Sequence, residues 1–401
     1  MEGRSINGLP TEILQEIWSL VVAASEPPPT SLASEHALWT FGHVCRRWRA
    51  AAISHSSMWC TISISEDHTP PIEQLGRKLQ LSNNLPLTIV FHQSTSDRCL
   101  GLLEALVAYS NQWRRFSLIL SENPTPLLKA LERARGKVPI LQQITLQGFA
   151  TSTGNPFAFE IAPQLKDVTL RFNPAPIIPW HQLTRLAITS YFAPLVQILQ
   201  TAQNLIEITV QLIDRQALPS STTPQICLPL VKHCLLFQSC VIDMLKLPEL
   251  EVFVVEPGTA SAFVSLLHRS SCSLKKLGLY GACSIETVTP MLRACPALVE
   301  MTLIGEGPAQ AAYLDLFVAE LSKRSSPSGD SALVVPQLKR ILVMADNLDQ
   351  DQFVNMVQSR WRVSNPDHRL EQVTAVLTQK WNDTEARRLR EFQSEGLWVR
   401  I

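Results

Sequence analysis

The sequence predicts an α/β protein in which a small, all-helical N-terminal module precedes an irregular solenoid of strand–helix repeats with a parallel sheet on its concave side. Two patterns indicate this fold. Apolar residues occur at helical spacing near the N-terminus, and one six-residue apolar pattern recurs ten times behind them. Composition agrees, because 46% of the 401 residues are hydrophobic and 17% are charged, against about 25% charged in typical globular proteins.

Two apolar runs at helical spacing make up the N-terminal module. In the first, Pro10 suits the first helical turn and Glu12 is favourable at the positive end of a helix. Its apolar face consists of Leu9, Ile13, Leu14, Ile17, Leu20 and Val21. This helix should end before the prolines at 27–29. A second run places six residues on one face: Leu38, Phe41, Val44, Cys45, Trp48 and Ala52.

These segments resemble an F-box, a small helical module that docks on the Skp adaptor of cullin-type ubiquitin ligases. The resemblance rests on LPTEILQEI at 9–17, VCRRW at 44–48 and MW at 58–59, in that order. It implies that nine residues pack the module or face the adaptor: Leu9, Pro10, Glu12, Ile13, Leu14, Ile17, Val44, Cys45 and Trp48. The segment at 25–34 lengthens the first inter-helix loop beyond the family pattern and should bulge away from the adaptor.

The size of the module also favours a binding role. A helical piece of about sixty residues buries a limited core and is marginally stable alone. Trp18 and Trp39 add more apolar surface than so small a core easily absorbs. We therefore expect a partner to cover part of the apolar face. The alternative is that these helices cap the N-terminal end of the domain that follows.

The pattern apolar-x-x-apolar-x-apolar recurs through the middle of the chain. Its ten copies begin at Trp113, Leu141, Leu165, Leu183, Leu205, Val231, Leu250, Leu274, Leu298 and Leu338. The intervals are 18–28 residues, except for a last one of 40 residues, and most fall in or near the range of about 20–29 residues of leucine-rich repeats. The irregular spacing resembles the degenerate leucine-rich repeats of fungal F-box proteins, although the consensus asparagine or cysteine is largely missing.

Four domains are expected: an F-box module (1–62), a linker with an N-terminal cap repeat (63–110), a leucine-rich-repeat solenoid (111–345) and a C-terminal cap (346–401). The linker should hold a strand at 86–91 and a helix at 99–109. The cap should hold helices at 349–360 and 383–394 and a strand at 397–401. Intervals of 18 and 19 residues should use a 3₁₀ turn or a loop instead of a full helix, and a surface loop at 323–330 should fill most of the longest interval.

We expect no catalytic residue, cofactor or metal. The dinucleotide, P-loop, serine-hydrolase and zinc-protease motifs are all missing. Ser273 and Lys276 match an acyl-enzyme motif, but they lie inside a repeat that explains their spacing. Four residues could suggest zinc but fit no common ligand pattern, which favours buried structural thiols: Cys227, His233, Cys234 and Cys240.

Charge and hydropathy limit the partners and the compartment. A formal net charge of zero argues against duplex DNA or an anionic membrane as a partner. No apolar run approaches the roughly 20 residues of a membrane span. The N-terminus shows no basic segment followed by an apolar one, so we expect no signal peptide. The nine cysteines form no C-x-x-C pair. We therefore expect reduced thiols and a cytoplasmic and/or nuclear protein.

The repeat pattern also identifies an outward face of the predicted sheet. Residues between the inward apolar positions alternate to the opposite side. They form a row of mixed charge, a row of small or apolar residues, and a third row with aromatic and aliphatic side chains. Such a surface suits protein recognition, unless other parts of the chain cover it. The predicted target-binding residues are His233, Phe237, Lys276, Tyr280, Glu300, Ile304, Arg340 and Met344.

The sequence therefore predicts a substrate-recognition subunit of a cullin-type ubiquitin ligase, and not an enzyme. Its F-box should dock the Skp adaptor, and its repeats should hold a target protein of unknown identity. An alternative from another class is a repeat scaffold that acts independently of a ligase. An enzyme with a site at the solenoid rim has no motif to support it.

Overall fold

The computed structural model describes residues 8–23, 37–65, 70–93, 97–120, 125–149, 158–173, 175–213, 225–236, 238–255, 259–280, 285–305, 308–325, 332–363 and 365–401. The chain divides into two compact units, Met1–Ser190 and Tyr191–Ile401. Helices and strands alternate along most of each unit.

Three α-helices open the first unit: α1 (Thr11–Ala23), α2 (Ala37–Val44) and α3 (Arg46–Ser54), with a 3₁₀-helix at Ser56–Trp59 behind them. The second apolar run of the sequence is therefore two helices, which separate at Cys45. This residue is extended, with φ −160° and ψ 171°, and its Sγ accepts a hydrogen bond from the Trp48 N–H at 3.4 Å. The thiol caps α3, a role that apolar spacing does not reveal. The loop predicted at 25–34 lies outside the described residues.

In the part of the first unit that the structure describes, six parallel strands follow, each paired with the next in sequence. They are β1 (Thr61–Ile64), β2 (Leu87–Gln93), β3 (Trp113–Leu120), β4 (Gln143–Phe149), β5 (Asp167–Asn173) and β6 (Arg185–Ser190). Between them lie α4 (Ile72–Leu81), α5 (Asp97–Val107), α6 (Thr125–Glu132) and 3₁₀-helices at Ser110–Gln112 and Trp180–Gln182. The strand predicted at 86–91 and the helix predicted at 99–109 are present as β2 and α5, whereas α4 was not predicted.

Within the described residues of the second unit, eight parallel strands pair side by side. In spatial order these are β7 (Glu207–Leu212), β9 (His233–Leu236), β11 (Val252–Val255), β12 (Lys276–Tyr280), β13 (Glu300–Gly305), β16 (Arg340–Ala345), β17 (Gln372–Leu377) and β18 (Trp398–Arg400). Two short pairs lie outside it, β8 (Ile226–Cys227) with β10 (Leu245–Lys246) and β14 (Arg324–Ser325) with β15 (Ala332–Leu333). The helices are α7 (Phe192–Thr201), α8 (Ser239–Met244), α9 (Ala260–Ser270), α10 (Ile285–Arg293), α11 (Pro308–Ser322), α12 (Gln350–Trp361) and α13 (Asp383–Ser394).

The recurring apolar pattern forms the interior of both units. Each of its ten copies contributes three side chains, and none of them is more than 3% exposed. Neighbouring strands pair in register, so that Met301 lies between Leu277 and Ile341. Helices pack on this inward face, as where Phe253 of β11 stacks on Phe263 of α9 with ring centroids 5.5 Å apart. The protein is thus a mixed α/β fold with N-terminal helices and extensive parallel sheet.

Some segments differ from the sequence prediction. Strand β17 pairs with β16 and β18 where no strand was predicted, because its small inward Ala375 weakens the apolar pattern. The 19-residue interval holds the short α-helix α8 instead of a 3₁₀ turn, whereas the 18-residue interval holds the 3₁₀-helix at Trp180–Gln182. The C-terminal helices and last strand match α12, α13 and β18. Of the loop predicted at 323–330, residues 326–330 lie outside the described residues.

A buried arginine fixes the segment that leads into β16. Arg360 of α12 is 0% exposed, and its guanidinium donates hydrogen bonds to the carbonyl oxygens of Leu321, Val334 and Val335. Leu321 lies in the last turn of α11, and Val335, with φ +57°, lies in the turn before β16. Burial lowers the pKa of Arg360 to about 10. One side chain therefore ties α11, α12 and this turn together.

A second buried cation lies in the first unit. Lys78 of α4 is 0% exposed. Burial lowers the pKa of its amine to about 7, an effect that the nearby Cys60 thiol partly opposes. A large fraction of the protein therefore holds this lysine uncharged near neutral pH.

Candidate docking surfaces

The N-terminal helices pack around a small core of their own. Its buried residues are Leu14, Trp18, Ala51, Ala52, Met58 and Trp59. Aromatic rings fill much of it, since the Trp18 ring stacks on Phe41 with centroids 4.9 Å apart and lies 5.1 Å from Trp48. Trp39 packs edge-on against Trp59 at 5.1 Å. The expectation that Trp18 is surplus to this core is wrong, because its side chain is 2% exposed.

Hydrogen bonds fix α1 against the residues of α3 and the turn that follows. Gln15 Nε2 donates to the carbonyl oxygen of Ala51 at 3.0 Å. The Ser19 hydroxyl lies 3.2 Å from His55 Nε2. Both contacts come from the side of α1 that faces the core, so the opposite side of the helix is held toward solvent.

Part of the solvent side of α1 is apolar. Ile13 is 48% exposed, Ile17 39%, Leu20 63% and Val21 45%. Their spacing of four, three and one residues places them on one side of the helix. On α2, Val44 is 55% exposed. A contiguous exposed apolar face of this kind marks an interaction surface on a soluble domain.

The nine residues singled out by the F-box resemblance fall into different environments. Five are exposed, namely Pro10, Glu12, Ile13, Ile17 and Val44. Leu9 and Trp48 are half-buried against the core, Cys45 caps α3, and Leu14 is fully buried. Leu20 and Val21 belong to the exposed face but were not predicted as site residues. Their helical spacing to Ile17 was the available signal.

A row of charges crosses the sheet of the second unit on its outward face. The register places Lys276, Glu300 and Arg340 side by side on β12, β13 and β16, and we call these three residues the charged row. Glu300 pairs through one carboxylate oxygen with Lys276 Nζ at 2.5 Å and through the other with Arg340 Nη2 at 2.6 Å. Further along the sheet, His233 Nδ1 lies 3.2 Å from Glu207 Oε1.

An apolar row runs parallel to the charged row, four residues further along each strand. It consists of Tyr280, Ile304, Met344 and Val376, which are in register on β12, β13, β16 and β17. Tyr280 is 38% exposed, Met344 40% and Val376 48%, so the face is open to solvent at these positions. Val376 was not predicted because β17 was not. Phe237, predicted for the same row, lies outside the described residues.

A floor row separates the two, formed by Gly278, Thr302, Leu342 and Thr374. A Cβ atom added at Gly278 would lie 3.0 Å from Val254 Cγ2, so the neighbouring strand already fills that space. The three rows lie side by side on the outward face of β12, β13, β16 and β17. We call this surface the trough.

The described ranges contain no group of three or more His, Cys, Asp or Glu residues that could hold a metal. In the cysteine cluster, Cys227 is exposed, Cys234 and Cys240 are buried, and burial raises the pKa of both buried thiols. All cysteines within those ranges are free thiols. Within the same part of the chain, no helix combines the length and the hydropathy needed to cross a membrane.

Residues 6–65 match the family model described as F-box-like. The match spans the three N-terminal helices and β1. No curated protein matches the chain. The N-terminal module is therefore an F-box-like domain. F-box domains typically bind the Skp adaptor, so the class of protein that this domain suggests is an adaptor-binding subunit of a ubiquitin ligase.

Proposed function

We propose that this protein is the substrate-recognition subunit of a cullin-type ubiquitin ligase. Its F-box-like domain docks the Skp adaptor, and its strand–helix units, as degenerate leucine-rich repeats of the fungal type, hold a target protein. The observation that carries the proposal is the exposed apolar side of α1. This side lies on a domain whose core is already filled by its own aromatic residues.

The exposed side of α1 has the chemistry of an interface centre. Fully burying an aliphatic side chain contributes about 1.5–3 kcal/mol. Ile13, Ile17, Leu20 and Val21 lie together on one side of the helix, so a partner groove would remove all four from water. The exposed Pro10 and Glu12 lie at the start of the same helix, where polar contacts at the rim of an interface are usual.

Two observations support the repeat half of the proposal. The apolar pattern has most of its intervals in or near the leucine-rich-repeat period, and all its positions are buried. Neighbouring strands also pair in register, so each repeat adds one residue to each outward row. A target protein that spans several repeats would contact the side chains of these rows.

The proposed mechanism is an increase in effective concentration. The chain holds the target near a conjugating enzyme carried by the cullin complex, which makes transfer of ubiquitin to the target effectively intramolecular. Bond making and breaking belong to the other subunits, and this chain supplies no catalytic group. The complex works in the cytoplasm and/or the nucleus.

A double substitution on α1 tests the adaptor contact. We expect the full-length protein to bind purified Skp adaptor in biolayer interferometry. Ile13→Asp with Ile17→Asp should weaken that binding about a hundredfold or more, because two carboxylates would be buried in an apolar interface. Both side chains are exposed in the free protein, so the variant should keep its helical content by circular dichroism.

The matched control is Ile161→Asp, which changes an isoleucine that is 57% exposed and lies outside the F-box-like domain. Its adaptor affinity should equal that of the unmodified protein. If the unmodified protein fails to bind the adaptor, the ligase function is wrong and a ligase-independent repeat scaffold takes its place. If the α1 variant binds as well as the unmodified protein, the adaptor contacts another surface.

A further inference from the structure

The trough has the dimensions of an extended peptide. Parallel strands lie about 4.8 Å apart, so the four strands from β12 to β17 span about 14 Å. The charged row and the apolar row lie four residues apart along each strand, which is about 13 Å. An extended segment of about five residues at 3.3 Å per residue therefore fits across the strands, between the two rows.

The charged side of the trough is net positive. Lys276 and Arg340 share the single carboxylate of Glu300, which leaves one formal positive charge in the row. Each cation keeps 50% of its side-chain surface exposed, against 20% for Glu300. The guanidinium has five N–H donors, so Arg340 has donors left over beyond those that face Glu300. Arg400 lies on β18, one strand beyond the trough, in register with Thr374 of the floor row and not with the charged row.

The opposite side of the trough offers apolar surface. Tyr280, Met344 and Val376 are each between 38% and 48% exposed. Beyond them, Asp346 follows β16 and accepts a hydrogen bond from the Thr378 hydroxyl at 2.9 Å. A ligand in the trough therefore meets cations on one side and aliphatic and aromatic carbon on the other.

We infer that the trough binds an extended segment of the target protein in which apolar residues alternate with Asp or Glu. Successive side chains of an extended chain point to opposite sides, so the apolar ones contact the apolar row while the carboxylates reach Arg340 and Lys276. This inference rests on the proposed function and names the class of target segment that the repeats recognise.

The charge count favours a carboxylate over a phosphate. A phosphorylated side chain carries about −1.5 to −2 charges at pH 7 and binds best opposite a cluster of arginines. Here Glu300 lies within 2.6 Å of both cations and would repel a dianion. One carboxylate instead neutralises the single excess charge of the row and pairs with the donors that Glu300 leaves over.

A phage library of random peptides, panned against the full-length protein, tests this inference. Each peptide is about 12 residues long, so that it exceeds the span of the trough. The enriched sequences should alternate Asp or Glu with aliphatic or aromatic residues. A fluorescein-labelled consensus peptide, measured by fluorescence anisotropy, should lose about tenfold or more in affinity on Arg340→Glu and on Met344→Ser. A consensus peptide with Lys at the acidic positions should prefer the Arg340→Glu protein.

Leu230→Ser is the matched control, because Leu230 is 47% exposed in the same unit but lies outside the trough. Three results would each overturn the inference. They are a basic consensus sequence, a peptide affinity that Arg340→Glu does not change, and tighter binding of a consensus peptide in which phosphoserine replaces aspartate. The inference would also be overturned if panning against the unmodified protein enriched no sequence relative to panning against the Arg340→Glu, Met344→Ser double variant. Adaptor binding is measured on every variant in parallel. If it persists while the peptide prediction fails, the inference is wrong and the proposed function stands.

Discussion

Replacing Arg360 with methionine is expected to lower the free energy of unfolding of the second unit by about 3–5 kcal/mol. The guanidinium supplies the hydrogen bonds to three buried carbonyl oxygens, and methionine is long enough to fill the space but donates none. Each buried carbonyl left unpaired costs about 1–3 kcal/mol. Burial lowers the pKa of Arg360 to about 10, so the folded protein bears a cost for charging this side chain. Removing the charge offsets part of the loss. Urea unfolding followed by tryptophan fluorescence measures the difference.

Two further variants separate the hydrogen bonds from the charge. Arg360→Lys keeps the charge, but a single ammonium lacks the planar fork that reaches three carbonyls, so the loss should be intermediate. Arg387→Met removes an exposed arginine from α13 and should change stability by less than about 0.5 kcal/mol. An unchanged urea midpoint for Arg360→Met would mean that the tie between α11, α12 and the turn before β16 does not stabilise the unit.

Lys78→Met is expected to stabilise the protein at pH 6–7 by up to about 4 kcal/mol, since each unit of pKa depression corresponds to about 1.4 kcal/mol. Burial lowers the pKa of this amine from 10.5 to about 7. The unfolded chain therefore binds the proton more tightly than the folded one. Below pH 7 the folded protein carries the full cost of charging the buried amine. That cost falls as the pH rises from 7 towards 10.5, so stability increases across this window.

The pH dependence distinguishes the cost of charging the buried Lys78 amine from a change in packing caused by the methionine side chain. Between pH 7 and pH 9 the advantage of Lys78→Met over the unmodified protein should shrink by about 2 kcal/mol. Measurements should stop at pH 9, because buried thiols such as Cys295, whose pKa is raised by burial to about 12, lower stability above that pH. Lys129→Met, at an exposed position of α6, is the control with no such trend. If the difference in free energy of unfolding between Lys78→Met and the unmodified protein stayed constant with pH, the charged form of Lys78 would carry no cost in the folded protein.

The repeats could be predicted because their burial is periodic. In each copy of the strand pattern, apolar residues at fixed spacing mark the inward face, and every such position is buried. Strand β17 was missed because alanine stands at one of its inward positions, where the pattern needs a large side chain. The break at Cys45 was missed because it depends on the backbone turning there, which places the thiol on the Trp48 N–H.

The buried cations could not be predicted at all. Lys78 and Arg360 look like ordinary surface residues in the sequence, since the partners of Arg360 are backbone carbonyls that carry no sequence signal. The exposed side of α1 was half predicted. Helical spacing grouped Ile13 and Ile17 with Leu14, but only tertiary packing decides that Leu14 and Trp18 point inward while the others do not.

The pairing of each strand with its neighbours along the chain also bears on how the protein folds. In the second unit, β13 and β16 keep an unbroken six-residue register although the longest interval lies between them. Most contacts between strands therefore close loops of one repeat, and such loops carry a modest entropic cost. Assembly can begin at any pair of neighbouring strands and spread outward one strand–helix repeat at a time, as in a linear nearest-neighbour system. Chain inserted between two strands lengthens one loop and leaves every other pairing as it was.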